Sequence, residues 1–491
     1  MKGSQAIIIG AGIAGLAASV RLKIKGYNVL VIEANEYPGG KLSSFEQHGY
    51  RFDAGPSLFT MPEYVDDLFR IAGRKPGEHF RYIRKEESCR YFWNDGTQIT
   101  AHADMGDFAA EVRQKLGIDE SIVLKKLSKS RRMFELAGRI FMEKPLHKAK
   151  TWLSYDVLRA FFQLNKLGIN STMHKDNQAL LIHPKLIQLF DRYATYNGSD
   201  PYRAPGVLNM IPHLEHGIGT YMPVNGMHDI TTSIFNLAME LGVEFKFGER
   251  VDAIMVKDGL STGVKTSKQH YNATVVLSNM DVTPTYRKLL PSQKAPEKIL
   301  SQERSSSALI FYWGMRRTFP QLGLHNIFFS NDYAAEFKDI FEGRVPSFDP
   351  TIYLNITSKD VPSDAPEGCE NWFVMVNVPG HNGQDWEKLI PLYREIILKK
   401  LDPLLECNTG NFIESESTLS PIDIERKTSS TGGSLYGASS NNRFAAFLRH
   451  KNESSSIKGL YFCGGSVHPG GGIPLCILSA KIVSDLIPNP S

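Results

Sequence analysis

Three observations predict an α/β fold. A short apolar strand, Gln5 to Gly10, runs into glycines at 10, 12 and 15 and then into a helix. A second strand, Asn28 to Glu33, follows that helix and closes on an acid. Near the far end, Gly459 to Pro474 forms another glycine-rich turn that opens a second helix. Together they describe a Rossmann-type dinucleotide-binding domain. Its parts come from both ends and the middle of the chain, so a second, α+β domain of sheet plus helices is expected to be interleaved with it.

Each element has a physical reason. Gln5 to Gly10 is β-branched and bounded by glycine, as a buried parallel strand is. Ile13 to Lys25 carries apolar and small residues at helical spacing, and Gly26-Tyr27 ends it. Gly10 permits the tight turn, Gly12 lets backbone approach a pyrophosphate, and Gly15 lets the helix pack on the sheet. The helix N-terminus offers free N–H groups to that pyrophosphate. Glu33 stands 18 residues past Gly15, at the end of the second strand, where a carboxylate accepts hydrogen bonds from ribose hydroxyls and disfavours a 2′-phosphate. Gly39-Gly40-Lys41 follows at once and brings backbone and a cation to the same pyrophosphate, which favours FAD over NAD. In the middle, Val243 to Phe247, Val251 to Val256 and Thr274 to Asn279 read as strands. Leu460 to Phe462 is a further strand, and Leu475 to Leu486 the helix that Pro474 opens. No second G-x-G-x-x-G occurs, so an external acceptor, a quinone or oxygen, must reoxidise the cofactor.

Composition excludes several classes. The 491 residues are 42% hydrophobic and 22% charged, which is ordinary globular composition. Lys+Arg 56 against Asp+Glu 52 leaves +4, so no basic field points to nucleic acid. The cysteines number 5, with no C-x-x-C pair, which argues against a disulfide framework or a metal site and for a reducing cytoplasm. Met1-Lys2 and the small-residue run Ala6 to Val20 imitate a secretory leader, but the glycine spacing assigns that run to the phosphate-binding turn. No apolar run reaches the ~18–20 residues that span a bilayer.

Further blocks carry a resemblance. They are Gly49-Tyr-Arg-Phe-Asp53-Ala-Gly55-Pro56-Ser57, Tyr221-Met-Pro-Val-Asn-Gly226-Met227, Gly432-Gly433-Ser-Leu-Tyr436-Gly437, and Gly459-Leu-Tyr-Phe-Cys-Gly464-Gly465-Ser-Val-His468-Pro469-Gly470-Gly471-Gly472-Ile473-Pro474. With the N-terminal glycines, the chain resembles the phytoene-desaturase-type carotenoid desaturases of the flavin amine-oxidase-like superfamily. The resemblance implies FAD held by Gly10, Gly12, Ile13, Ala14, Gly15, Glu33, Ala34, Gly40, Lys41, Leu42, Gly55, Pro56, Ser57, Val251, Gly465, Gly472, Ile473 and Pro474. Val251 would meet the adenine, and the last helix would point its positive end at the flavin N1/O2 edge. Relatives often carry an acid where Gly465 or Ser466 stands, which puts one ribityl hydrogen bond in doubt. His468 is the one candidate for a catalytic base, with shaping of the turn before Pro469 as its other reading.

The resemblance also implies five segments. Residues 1–85, 220–300 and 419–491 would form the FAD-binding domain, and 86–219 and 301–418 the substrate domain. The first substrate segment reads as largely helical. Within it, residues 133–167 interleave Phe134, Ile140, Phe141, Trp152 and Phe161 with Lys144, Lys148, Lys150 and Arg159. That pattern suits helices on an anionic membrane surface, and equally helices with a core stripe and solvated lysines. Lys125-Lys126 and Arg131-Arg132 read as solvated face. The later segment, with Ile310 to Gly314, Thr351 to Asn355 and Trp372 to Val378, is strand-rich and suits the floor of an apolar channel.

The implied activity is removal of hydride and proton from a long apolar polyene, at a cytoplasmic membrane surface, in carotenoid biosynthesis. Pro474 to Ala480 is similar to members acting late, on hydroxylated carotenoids, so C3–C4 of a 1-hydroxycarotenoid is the expected bond. The alternatives are a phytoene-type desaturase, a polyene isomerase or saturase on the same flavin, a non-catalytic FAD-containing carotenoid-binding protein and, more remotely, an amine oxidase.

Overall fold

The computed structural model describes residues 4–145, 151, 168, 170–442 and 449–490. A five-stranded parallel sheet runs in the order Leu460–Phe462, Val275–Ser278, Gln5–Ile9, Asn28–Ile32, Glu244–Lys246. Val275–Ser278, Gln5–Ile9 and Asn28–Ile32 are buried on both faces, which is why they read as continuous apolar runs, whereas the edge strand Glu244–Lys246 is largely exposed. Ala6, Ile8, Val29 and Val31 pack with the helices Ile13–Ile24, Asp229–Glu240 and Ile473–Leu486. Ile7, Ile9, Leu30 and Ile32 pack on the other side with Val251, Ile254 and Val264. Those three belong to an antiparallel sheet of Val251–Lys257, Leu260–Thr266 and His270–Asn272. The α/β expectation is met, and the sheet order is that of a dinucleotide-binding core.

A seven-stranded sheet forms the second body, in the order Ile413–Leu419, Ser307–Met315, Glu370–Val378, Ile352–Asn355, His325–Phe328, Glu87–Phe92, Gln98–His102. Its pairs are antiparallel except His325–Phe328 with Glu87–Phe92. Side chains alternate across it. Leu309, Phe311, Trp313, Trp372, Val374 and Val376 pack under Tyr393, Ile397 and Leu401 of the helix Trp386–Leu405. Ile310, Tyr312 and Phe373 face the other way, toward Tyr50 and Phe52. Beyond the last strands, Met105–Leu116, Glu120–Met133, Met173–Leu181 and Pro184–Asp191 enclose a helical core around Phe108, Val112, Leu127, Leu186 and Phe190.

Two expectations change. The segment after residue 86 is largely helical, as expected, but opens with an unexpected hairpin, turning at Asp95-Gly96 with Gly96 at φ +83°. That dipeptide is a hairpin signal in its own right. Lys126 is not on a solvated face: it is 1% exposed, and its ammonium donates to Asn177 Oδ1 and, at 2.6 Å, to Asn209 Oδ1. Of the 133–167 stretch, Met133, Phe134 and Ile140 are buried in the core. Residues 146–150, 152–167 and 169 lie outside the described residues. No helix among the described residues is long and apolar enough to cross a membrane.

Candidate active site

A cavity of about 820 Å³ runs from the carboxyl ends of the parallel strands to the open face of the seven-stranded sheet. That is where an open parallel sheet binds its ligands. At one end lie Gly10, Gly12, Ile13, Ala14, Glu33, Ala34 and Val251. Gly40, Lys41 and Leu42, then Gly55, Pro56 and Ser57, and then Gly465, Gly472, Ile473 and Pro474 continue the wall. Ile310, Tyr312, Phe373 and Met375 form the apolar floor.

Two helices open on this cavity. Ile13–Ile24 begins at Gly12 and Ile473–Leu486 at Gly472, neither with a side-chain cap, so first-turn N–H groups are left for a ligand. Gly472 has φ +110°, and a Cβ there meets no atom within 4 Å, so it would project into the ligand's own space. A long cavity with donors at two helix starts and a carboxylate near the first fits a flavin nucleotide. Glu33 accepts from the Ala11 N–H at 2.7 Å and the Asn35 N–H at 2.8 Å, which fixes the glycine turn and leaves acceptor capacity on both oxygens.

Three of the expected site residues stand differently from their reading. Gly15 does not line the cavity. A Cβ there would come 2.2 Å from the Gly10 carbonyl oxygen, so its place is helix-on-strand packing. Lys41 lines the cavity, but two of its N–H groups go to the Ser434 and Leu435 carbonyls, at 2.8 and 2.9 Å. One donor is left for a ligand, and burial pulls its pKa down to about 8. His468 is not on the wall: its Nε2 lies 2.9 Å from the Lys144 carbonyl oxygen. That oxygen only accepts, so the proton stays on Nε2.

Sequence reasoning missed other residues here. Asn279 Nδ2 sits 2.6 Å from where a Gly12 Cβ would be, so Gly12 is also needed to admit this side chain. The signal was its place, just past the carboxyl end of the strand Val275–Ser278. Arg449 is 3% exposed and donates to the carbonyls of Tyr436, Ala438 and Gly465, binding the last glycine turn to its neighbour. Burial lowers its pKa to about 10.

The far wall carries a polar cluster with no pattern along the chain. Arg192 and Glu215 pair at 3.0 Å, and Tyr193 and Tyr196 donate to the same carboxylate. His325 Nδ1 lies 2.8 Å from the Tyr353 hydroxyl, which lies 2.7 Å from Ser57 Oγ. Burial holds His325 down to about 3, so it is neutral.

The fold and this site define a flavoprotein oxidoreductase, and the chain belongs to the flavin containing amine oxidoreductase family, whose model matches residues 13–488. Among curated proteins it is 53% identical to the 1-hydroxycarotenoid 3,4-desaturase of Flavobacterium sp., over 99% of both chains. It is 32% identical to the 4,4'-diapolycopene oxygenase of Methylomonas sp., over 98% of each. It is also 28% identical to the phytoene desaturase of Fusarium fujikuroi, over 98% of this chain and 88% of that one. Among solved structures, a putrescine oxidase variant superposes with TM-score 0.64 at 13% identity, covering 98% of both chains. The cyclohexylamine oxidase of Brevibacterium oxydans superposes with TM-score 0.62 at 14% identity, covering 99% of this chain and 98% of its own. These two share the fold.

Proposed function

We propose that the protein is an FAD-dependent carotenoid desaturase that introduces the C3–C4 double bond of a 1-hydroxycarotenoid. One observation carries the reading: identity of 53% to a 1-hydroxycarotenoid 3,4-desaturase along 99% of both chains. The continuous cavity from the glycine turns to an aromatic and aliphatic floor supports it.

Bound flavin supplies the acceptor for the hydride. Gly10, Gly12, Ile13 and Ala14 would hold the pyrophosphate, Glu33 and Ala34 the ribose, and Val251 the adenine. Gly40, Lys41, Leu42, Gly55, Pro56 and Ser57 would flank the middle of the cofactor. Gly465, Gly472, Ile473 and Pro474 would present the second helix start to the ring, and Gly15 acts through packing alone. Ile310, Tyr312, Phe373 and Met375 align the polyene and exclude water. Charge developing on the polyene spreads over its double bonds, so position and dryness suffice where a strong counter-charge is absent, and the neighbouring proton passes to a weak base or solvent. His468 holds the turn at Lys144 and is left out of proton transfer.

Burial of polyene carbon is worth ~0.8 kcal/mol per CH₂, so the substrate passes from bilayer to cavity without crossing water. Peripheral attachment to a membrane follows from that physics, and a quinone or oxygen takes the electrons. Anaerobic mixing with a 1-hydroxycarotenoid tests the activity. Bleaching of the flavin's visible band with a red-shifted product two hydrogens lighter is expected. Product of unchanged mass would instead make it an isomerase, product with added oxygen an oxygenase, and no change a binding protein.

A further inference from the structure

The seven-stranded sheet brings an unsatisfied polar group to the wall of this cavity, beside its apolar floor. His325 is 4% exposed and lines the cavity. Asn355 Nδ2 donates to the Leu324 carbonyl at 3.0 Å and to His325 Nδ1 at 3.2 Å. An amide nitrogen can only donate, so Nδ1 is the accepting nitrogen and the ring proton is on Nε2. The Tyr353 hydroxyl donates to the same Nδ1 and accepts from Ser57, so the chain Ser57, Tyr353, His325 has one direction. It ends on the Nε2–H, a buried donor with no partner among the described residues. Ser88 also lines the cavity, is 1% exposed, and its Oγ has no partner either. The two side chains come from adjacent parallel strands: the register, Asn326 with Arg90 and Ile327 with Tyr91, sets His325 beside Cys89, and the irregularity between Glu87 and Cys89 lets Ser88 line the same cavity. Buried polar groups without partners are rare in folded proteins. Among the described residues four such atoms belong to side chains lining this cavity, Ser88 Oγ, Arg192 Nε, His325 Nε2 and Ser417 Oγ, and a ligand group that both donates and accepts would satisfy the two on the neighbouring strands, His325 and Ser88.

We propose that His325 and Ser88 form the subsite that selects a hydroxylated polyene end: the substrate hydroxyl accepts from His325 Nε2–H and donates to Ser88 Oγ. This rests on the desaturase reading and adds to it which end of which polyene is accepted. The group is neutral and both donates and accepts. Arg192, which lines the same cavity, holds Glu215 through Nη2 and keeps its Nε without a partner among the described residues. The placement also suits the reaction. Ser57 belongs to the Gly55 to Ser57 stretch assigned to the flavin, and His325 Nδ1 is reached from it through one shared hydroxyl, by contacts of 2.7 and 2.8 Å. In a 1-hydroxycarotenoid the C3–C4 bond begins two bonds from the carbon that bears the hydroxyl. Anchoring that hydroxyl at His325 therefore sets the bond to be oxidised beside the cofactor and leaves the polyene tail along the apolar floor.

The test compares kcat/KM for a 1-hydroxylated polyene and for the same polyene lacking the hydroxyl, with flavin content read on every preparation. The holoenzyme is expected to prefer the hydroxylated polyene by about tenfold or more, the scale of a buried hydrogen-bonding group left unpaired. H325F is expected to bring that ratio close to one. H325Q, which keeps an amide donor near the Nε2 position, is expected to recover most of it. S88A, a smaller change, lowers the ratio in the same direction. A purely structural role would depress both substrates together and leave the ratio intact. A ratio that persists in H325F, or a holoenzyme that takes both polyenes equally well, overturns the subsite while the desaturase reading stands. A holoenzyme that dehydrogenates neither polyene overturns the desaturase reading and the subsite with it.

Discussion

Lys126 lies in the helix Glu120–Met133 with its ammonium on two asparagine carbonyl oxygens. One of these, Asn177, passes its amide on to Asp191 Oδ1 at 2.7 Å, and His174 meets the other oxygen of Asp191 at 2.6 Å. Burial pulls the Lys126 pKa from 10.5 to about 7. Between those values the unfolded chain holds a proton that the folded chain has lost, so stability rises with pH there. The contribution is complete above the unfolded value and is lost as pH falls to about 7. Urea unfolding at pH 7, 8 and 9 should show wild type gaining on K126M by up to ~1.4 kcal/mol per pH unit. A difference independent of pH would contradict this. Nothing in Lys125-Lys126 announced such burial, because the partners lie far along the chain at Asn177 and Asn209. Glu33 was legible for the opposite reason, since its role is set by a local strand end and a fixed distance from a glycine turn. His468 was ambiguous in sequence, and its contact with the Lys144 carbonyl supports the structural reading proposed for it. H468A with flavin bound should keep turnover far inside the ~10²–10⁴-fold loss that removing a general base gives.

Elements were legible where one period ran through them. Trp372 to Val378 alternates, and the two sets of side chains meet different neighbours, a helix on one face and the cavity on the other. Ile397 belongs to the helix side, fully buried under Phe311 and Trp313. I397A should therefore cost about 2–5 kcal/mol in unfolding free energy, the range for a large-to-small core change. Its flavin spectrum should stay that of wild type, because the cavity lies across the sheet. A variant that instead loses flavin at unchanged stability would contradict this division of faces. The hairpin at Asp95-Gly96 was hidden because its strands are short and one of them, Glu87–Phe92, also pairs with His325–Phe328, more than two hundred residues away. Propensity cannot report such pairing.

At the scale of the molecule, the cavity's two ends come from bodies of different construction, one a parallel sheet with helices, the other a sheet antiparallel but for one pair. The glycine turns of the first were readable from spacing alone. The cluster of Arg192, Glu215, His325 and Tyr353 was not, since its members lie in separate stretches of the chain and only tertiary packing gathers them. The proposed transfer of polyene from bilayer to cavity predicts that the protein floats with anionic liposomes at low salt. Recovery entirely in the soluble fraction would contradict it.

The order of strands in the parallel sheet also sets a timetable for synthesis. Gln5–Ile9 ends between Asn28–Ile32 and Val275–Ser278, both made after it, and the edge strand Leu460–Phe462 is made later than the four strands it joins. The helix start at Gly472 to Pro474 follows it, so the nucleotide cleft lacks a wall until that turn has been made. Flavin capture then reports that synthesis has passed this turn. A protein ending at residue 458 should emerge colourless even in excess flavin, and one that emerged yellow would show that the early turns capture the cofactor unaided.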